Sequence, residues 1–437
     1  MLAFTLGVSV VASLLFGLAP AVQASQVDVN ESLKQGAGRA VIGGAAGRMR
    51  SGLVIAEVAL SVVLLAGAGL LIKSFVALHN VALGFRPEHV LVMNSSVPAS
   101  GLEGARRATR FYNTLLADIS ALPGVLGSGA TMATPGHVRS NGGYWIDHLP
   151  SELSVTAPNA VLSVVAPGTF GALAIPLTRG RDLNAGDTYD APFTAVINEA
   201  LARTSFPGQD AMGRVIYCGL DSLKPMTIVG VVGDVRQYGP AREPIPEIYM
   251  PYEQHPRTAT DLSILVRTAT EPQRLEEVMR RKVRQLSPDV PVKFTTMEAS
   301  LSENVAAPRF RTLLLGIFAG LAVCLAMAGV YGVMAYLVGQ RSNEIGVRMA
   351  LGASTGDVLR LVLREGLGLT ALGLLLGLIG ALAVSRLLSS MLFEVKPGDP
   401  MIYASVAMLL ALVTLMASYI PARRATKLDP LVALRQE

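Results

Sequence analysis

The chain has 437 residues, of which 51% are hydrophobic and only 16% charged, and its mean hydropathy is +0.46. A soluble domain carries about 25% charged residues, so a wholly water-soluble fold is excluded. The net charge of +5 comes from basic residues scattered along the chain or set beside apolar runs, a pattern of membrane topology that requires no nucleic acid.

Residues 1–20 form the first run nearly free of charge, long enough to cross roughly 30 Å of hydrocarbon. Segment 21–50 follows with Lys34, Arg39, Arg48 and Arg50 and reads as a cytoplasmic linker. Its start matches the C-terminal tail. Pro20, Ala21, Ala24, Asp28, Leu33 and Gln35 recur at the offsets of Pro421, Ala422, Ala425, Asp429, Leu434 and Gln436. Self-similarity after two apolar runs reads as duplication, with 1–36 as the end of a preceding half. The alternative is a secretory signal peptide cleaved after Val22-Gln-Ala24. Against it, no Lys or Arg precedes the apolar run, and cleavage would place the basic 25–50 segment outside.

A second span is expected over 51–73. Within it Gly67-Ala-Gly-Leu-Leu-Ile-Lys73-Ser74 imitates a phosphate-binding loop, but Ile72 stands where that loop needs glycine. Lys73 is expected to snorkel to the interface instead. Glu57, about two turns into the span, reads either as a proton or substrate contact or as a carboxyl bonded to a neighbouring helix near the cytoplasmic interface.

Residues 74–308 hold most of the charges and prolines and read as an extracytoplasmic mixed α/β domain. Strands are predicted at 90–93, 160–165, 194–197, 227–232, 262–266 and 290–294. Helices are predicted at 105–121 and at 271–286. In the second, Leu275, Val278, Met279, Val283 and Leu286 share a face, and Glu276/Arg280 and Glu277/Arg281 are spaced to pair. Strand–helix–strand order around both helices suggests ferredoxin-like pieces. The glycines of 127–143 read as a flexible loop. Asp234, Arg236, Glu199 and Glu247 are candidate catalytic groups, but Asp234 and Arg236 read equally as turn residues or a surface pair. The five histidines show no metal spacing, and Cys218 and Cys324 form no CxxC, so neither a metal site nor a catalytic site is expected.

Three further spans are predicted at 312–338, 366–388 and 401–420. Gly316/Gly320 and Gly373/Gly377, with Gly380 close by, have the spacing of helix-packing positions. The short segment 339–364 is basic, with Arg341, Arg348, Arg360 and Arg364, and so is the tail 421–437. Both are expected in the cytoplasm beside the 21–50 linker, with 74–308 outside.

The run Glu344-Ile-Gly-Val-Arg-Met-Ala-Leu-Gly-Ala353 resembles the coupling helix of MacB/FtsX-type ABC transporter permeases. Asn198–Gly208, Gly230–Arg236 and Pro246–Pro251 resemble the MacB-like periplasmic core domain. The resemblance extends to one half of the double-length members of that family. It implies a multi-pass helical protein of about five spans in the bacterial inner membrane, with a large extracytoplasmic α/β domain. It also implies a permease subunit that transmits mechanical work from a separate ATPase to export at the periplasmic side. Glu344, Ile345, Gly346, Arg348, Met349, Leu351 and Gly352 would meet the ABC ATPase. Glu344 and Arg348 support the helix at i,i+4, and Ile345 with Met349 forms the apolar strip for a partner groove. Gly346 allows close approach, and Gly352 ends the helix. The bland alternative is an amphipathic loop helix on lipid headgroups.

The resemblance places ATP and Mg on the partner ATPase and no cofactor on this chain. One coupling helix per half implies a homodimer, or pairing with a second permease half, in the lipid bilayer. Two other functions compete: a membrane-anchored regulator of cell-envelope enzymes driven by the same motion, and a secondary transporter or membrane enzyme. The last would need more intramembrane ionisable residues than the spans contain.

Overall fold

The computed structural model describes residues 45–150, 157–340, 345, 347–349, 351 and 354–425. The reading of 1–36 as a repeat or a signal peptide therefore lies outside the described residues, as does most of the tail. Ser74–Arg311 forms one compact unit, and the apolar helices on either side of it in sequence form the other.

In the first unit β1 (Val90–Ser96), α2 (Gly101–Ser120) and β2 (Val125–Thr131) are followed, after a long insertion, by β10 (Asp261–Thr268), α5 (Glu276–Leu286) and β11 (Val292–Thr296). The strand order is β11-β1-β10-β2, antiparallel throughout. Each helix thus crosses over a strand supplied by the other half, which is the split βαβ pattern expected from the sequence. Tyr112, Leu115 and Ile119 of α2 and Met279 and Val283 of α5 pack on Leu91, Met93, Ile264 and Val266 in one core. The wet-face pairs of α5 differ from the i,i+4 expectation. Arg284 pairs with Glu277 at 3.3 Å, and Arg280 lies over the Phe294 ring at 5.0 Å. Exposed i,i+4 pairs are worth only about 0.3–0.5 kcal/mol, so an aromatic neighbour outcompetes them.

The insertion adds β3 (Asn141–Ile146), β4 (Asn159–Val165), α3 (Thr169–Leu173), β5 (Leu177–Gly180), β6 (Thr194–Asn198), α4 (Glu199–Ser205), β7 (Val215–Cys218), β8 (Met226–Val232) and β9 (Glu247–Pro251). Strands β4-β3-β7-β8-β6-β9 pair in that order, and β9 returns parallel to β4, so six strands close a ring. Closure removes the sheet edges, and β6 and β9 are buried at every position because their alternate faces enter two cores, Ile197, Ile248 and Met250 in one and Val196 and Tyr249 in the other. Cys218 and Cys324 are both free, Cys218 being buried in the core.

Of the glycines of 127–143, all but Gly136, which sits in the turn between β2 and β3, lie in strands and not in a loop. Gly127 and Gly129 lie in β2, and Gly142 and Gly143 in β3. A Cβ on Gly129 would fall 2.4 Å from the Thr169 Cα, because α3 sits directly on the strand. The Thr169 hydroxyl accepts from the Ala130 amide and reaches the Ala130 carbonyl as well. Tertiary approach, not backbone freedom, selects glycine there.

The second unit contains α1 (Ala45–His79), the membrane part of α6 (Met297–Gln340), α7 (Thr355–Leu387) and α8 (Pro400–Ala425). Four helices among the described residues, Ser51–His79, Arg309–Gly339, Thr355–Leu387 and Pro400–Arg424, are long and apolar enough to span a membrane. α1 and α7 approach closely: a Cβ on Gly377 would lie 2.6 Å from Val62 Cβ, and one on Gly373 2.8 Å from Val58 Cβ. Gly316 and Gly320 play no such part, since a Cβ on either meets nothing within 4 Å in this chain.

Candidate functional site

The segment between α6 and α7 is built from short-range chemistry. Ser354 caps α7: its hydroxyl accepts from the Asp357 amide at 3.3 Å, and the Asp357 carboxylate accepts from the Ser354 amide at 3.1 Å. This reciprocal box fixes where the third span begins. Ser354-x-x-Asp357 is a readable signal for it. Glu344, Gly346 and Gly352 lie outside the described residues.

Of the predicted partner-binding residues, Ile345 is 2% exposed and packs on Val358, with Val338 and Met349 beside it. Ile345 therefore faces α7 within this chain, while Met349 beside it is half-buried. Val358, in the first turn of α7, covers Ile345, which the sequence leaves without an internal partner. Val347, Arg348 and Leu351 face outward, Leu351 being 82% exposed. The Leu351 amide bonds the Val347 carbonyl at 3.0 Å, so these residues share one helical turn.

Two contacts tie the span ends together. Lys73 does not simply snorkel, but pairs with Asp399 in the loop before α8. Arg424 donates to the Tyr331 hydroxyl at 3.3 Å. Between these levels Glu57 of α1 projects onto Gly329 of α6, where a Cβ would lie 2.1 Å from its carboxylate. Ser61 donates to the carbonyls of Glu57 and Ala322, binding the same two helices.

In the extracytoplasmic unit the candidate carboxylates separate by environment. Asp234 accepts from the Ala200 amide and from Arg203, both at 2.6 Å, and so holds the start of α4. Arg236 turns away to the carbonyls of Pro240 and Arg242, so the two residues organise turns and do not pair with each other. Glu199 makes only a loose pair with Arg203 at 3.6 Å. Glu247, at the start of β9, is fully buried. It accepts from Ser163 at 2.6 Å and from the Gln237 amide at 2.9 Å on each oxygen, while its own amide donates to Asn198. Burial pushes its carboxyl up to about 7. No cluster of metal-ligand side chains occurs among the described residues. The bonds to Glu247 come from three neighbouring segments and knit β4, β9 and the 233–246 loop, a structural role.

Four membrane helices continuous in sequence with one mixed α/β domain define the class: a multi-pass membrane protein with a large extracytoplasmic domain. Comparison with known proteins gives the family. Residues 316–430 match the FtsX-like permease C-terminal model, and residues 51–284 match the MacB-like periplasmic core domain. The chain belongs to the MacB/FtsX-type ABC transporter permease family and is an inner-membrane protein. It is 28% identical to the macrolide export ATP-binding/permease protein MacB of Agrobacterium fabrum, over 65% of this chain and 44% of that protein. It is likewise 28% identical to the pyoverdine export ATP-binding/permease protein PvdT of Pseudomonas syringae, over 60% of this chain and 40% of that protein. The chain thus spans less than half the length of these relatives. The periplasmic region of MacB from Actinobacillus actinomycetemcomitans aligns at 17% identity and a TM-score of 0.34, covering 50% of this chain and 94% of that one.

Proposed function

We propose that the chain is the permease half of an ABC export system, driven by a separate ABC ATPase that docks on the 345–351 segment. The observation that carries this reading is the outward turn of Val347, Arg348 and Leu351, anchored on α7 by buried Ile345. Val347 and Leu351 are exposed apolar side chains four residues apart, the spacing of a helix that fits a groove. Because Ile345 fixes the segment to α7, a push on its outer face moves the helices as a unit. α6 supports transmission: it runs without a break from Met297 in the extracytoplasmic domain to Gln340 beside the docking segment. The named activities of the relatives, export of macrolides and of pyoverdine, favour export as the output. ATP and Mg act on the ATPase, and a second permease half, identical or related, completes the pair of ATPase contacts.

The test replaces the outer face alone. Leu351→Asp with Val347→Asp is expected to abolish co-purification of the ATPase while membrane insertion and the fold of the extracytoplasmic domain persist. Full ATPase association by this variant would refute the reading. A second function, control of a cell-envelope enzyme by the same motion, shares the helix continuity of α6. It is distinguished by an envelope-hydrolysis defect in the variant with efflux unchanged.

A further inference from the structure

The sheet face opposite α2 and α5 is polar along one row. Asn94 of β1 sits in register with Ser263 of β10 and Lys293 of β11, and Ser263 in register with Thr131 of β2. In a strand every second residue shares a face, so these four side chains line one side of the sheet. The neighbouring row on that side, Val92 and Leu265, is buried in the second core of the domain. Asn94, Ser263 and Lys293 of the polar row instead open into a cleft of about 390 Å³, while Thr131 is buried beside it. That volume lies within the range of sites for small ligands, about 300–1,000 Å³.

Two elements wall the cleft. One is the 132–139 segment, contributing Met132, Thr134, His137 and Arg139. The other is the end of β11, contributing Thr295, with the start of α6, contributing Ser300. His137 Nε2 and the Ser300 hydroxyl, 3.1 Å apart, join the two walls. Most of the polar groups are already committed. Arg139 donates to the Asp261 carboxylate at 2.8 Å and to the Met132 carbonyl at 3.1 Å. Ser263 donates to the Asn94 side-chain oxygen at 2.7 Å, which leaves the Asn94 amide nitrogen as a donor. Asp261 cancels Arg139, and among the described residues no ion pair holds Lys293. The cleft therefore carries one uncompensated positive charge flanked by N–H and O–H donors. It also adjoins the N-terminal turn of a 44-residue helix, whose dipole favours negative charge. Glu298 belongs to that turn but does not line the cleft.

We propose that this cleft binds a small molecule or short peptide through one carboxylate, held by Lys293 with Asn94 and Ser300 as donors. A single unpaired ammonium matches a monoanion. A phosphate dianion would call for a second cation or a free guanidinium fork, and the one fork here is spent on Asp261. Because the α6 turn is a wall of the site, a bound carboxylate orders the head of the same helix that continues as the Arg309–Gly339 span. The ligand site does not depend on the identity of the ATPase, and the two readings fail separately.

The experiment uses the intact chain in lipid nanodiscs, followed by amide hydrogen exchange. The probes are Ala-Ala-Ala with a free C-terminus, the same tripeptide amidated, and inorganic phosphate. The free acid at millimolar concentration is expected to protect segments 132–139 and 293–302, and the amide is not. Lys293→Gln should weaken the free-acid effect about tenfold, the loss of one charge-assisted contact, and Lys293→Arg should retain it. Unchanged exchange elsewhere in β1, β10 and β2 certifies that the Lys293→Gln domain is folded. Equal protection by acid and amide, or by native protein and Lys293→Gln, overturns the proposal. So does protection by phosphate alone, or none by any probe at tens of millimolar.

Discussion

Replacing Glu247 with glutamine is expected to abolish a pH dependence that runs opposite to that of most carboxylates. The group is fully buried, and its carboxyl is pushed from an ordinary value near 4.5 up to about 7. Below about pH 4.5 it is protonated whether the domain is open or closed, and it contributes no difference. Between 4.5 and about 7 the opened chain loses the proton while the native chain keeps it, so stability falls as pH rises. Above about 7 both forms are ionised and the loss is complete. The gap from 4.5 to about 7 at ~1.36 kcal/mol per pH unit is worth about 3 kcal/mol, or a few-hundred-fold in opening equilibrium. Glutamine has the same shape and keeps an acceptor for Ser163, and the Gln237 amide can rotate to accept from the new NH₂. Amide exchange of β4 and β9 in the intact chain, corrected for the intrinsic pH effect, reads the opening free energy. The native chain should lose protection between pH 5 and 7.5, and Glu247→Gln should stay level and be the more protected at pH 7.5. If the difference between the two proteins does not change with pH, the buried-carboxylate reasoning is wrong.

Other perturbations reach the membrane unit. Gly377→Leu drives a side chain into Val62 and Ala59 of α1, where even a Cβ has only 2.6 Å, and should cost about 1–3 kcal/mol or more of helix packing. Gly320→Leu, with open space around it in this chain, leaves the monomer's thermal stability in detergent unchanged; equal losses for the two would refute the α1–α7 contact. Ile345→Asp is expected to release the 345–351 segment from Val358 and expose it to added protease, while Leu351→Asp leaves it protected. In a background lacking Cys324, a cysteine at Asn141 should react with an impermeant reagent from outside the cell and one at Asn343 should not. The reverse pattern would invert the topology.

Much of the molecule is written locally. Span position follows from apolar length alone, because hydrocarbon thickness sets a threshold that each segment meets or misses by itself. Strands β1, β4, β6, β8, β10 and β11 and helices α2 and α5 carry their own periodicity, and their order suffices for the split βαβ pattern. Strands β2 and β3 did not reveal themselves, since their glycines read as a flexible loop until α3 is seen resting on Gly129. β9 is five residues bounded by Pro246 and Pro251, and the partners on both its sides make it a strand. The docking segment shows the same division. Its composition marks it as a helix-prone polar turn between spans, but which face is free depends on Val358, thirteen residues from Ile345 and on another helix. The cleft at Lys293 was invisible for the same reason: Asn94, Ser263 and Lys293 come from distant segments, and only strand register sets them side by side. Hydrophobic length and periodicity act along the chain, and the sequence expresses them directly. Close approach, burial of a strip and convergence of polar groups are pair properties, and they exist only once the chain has folded.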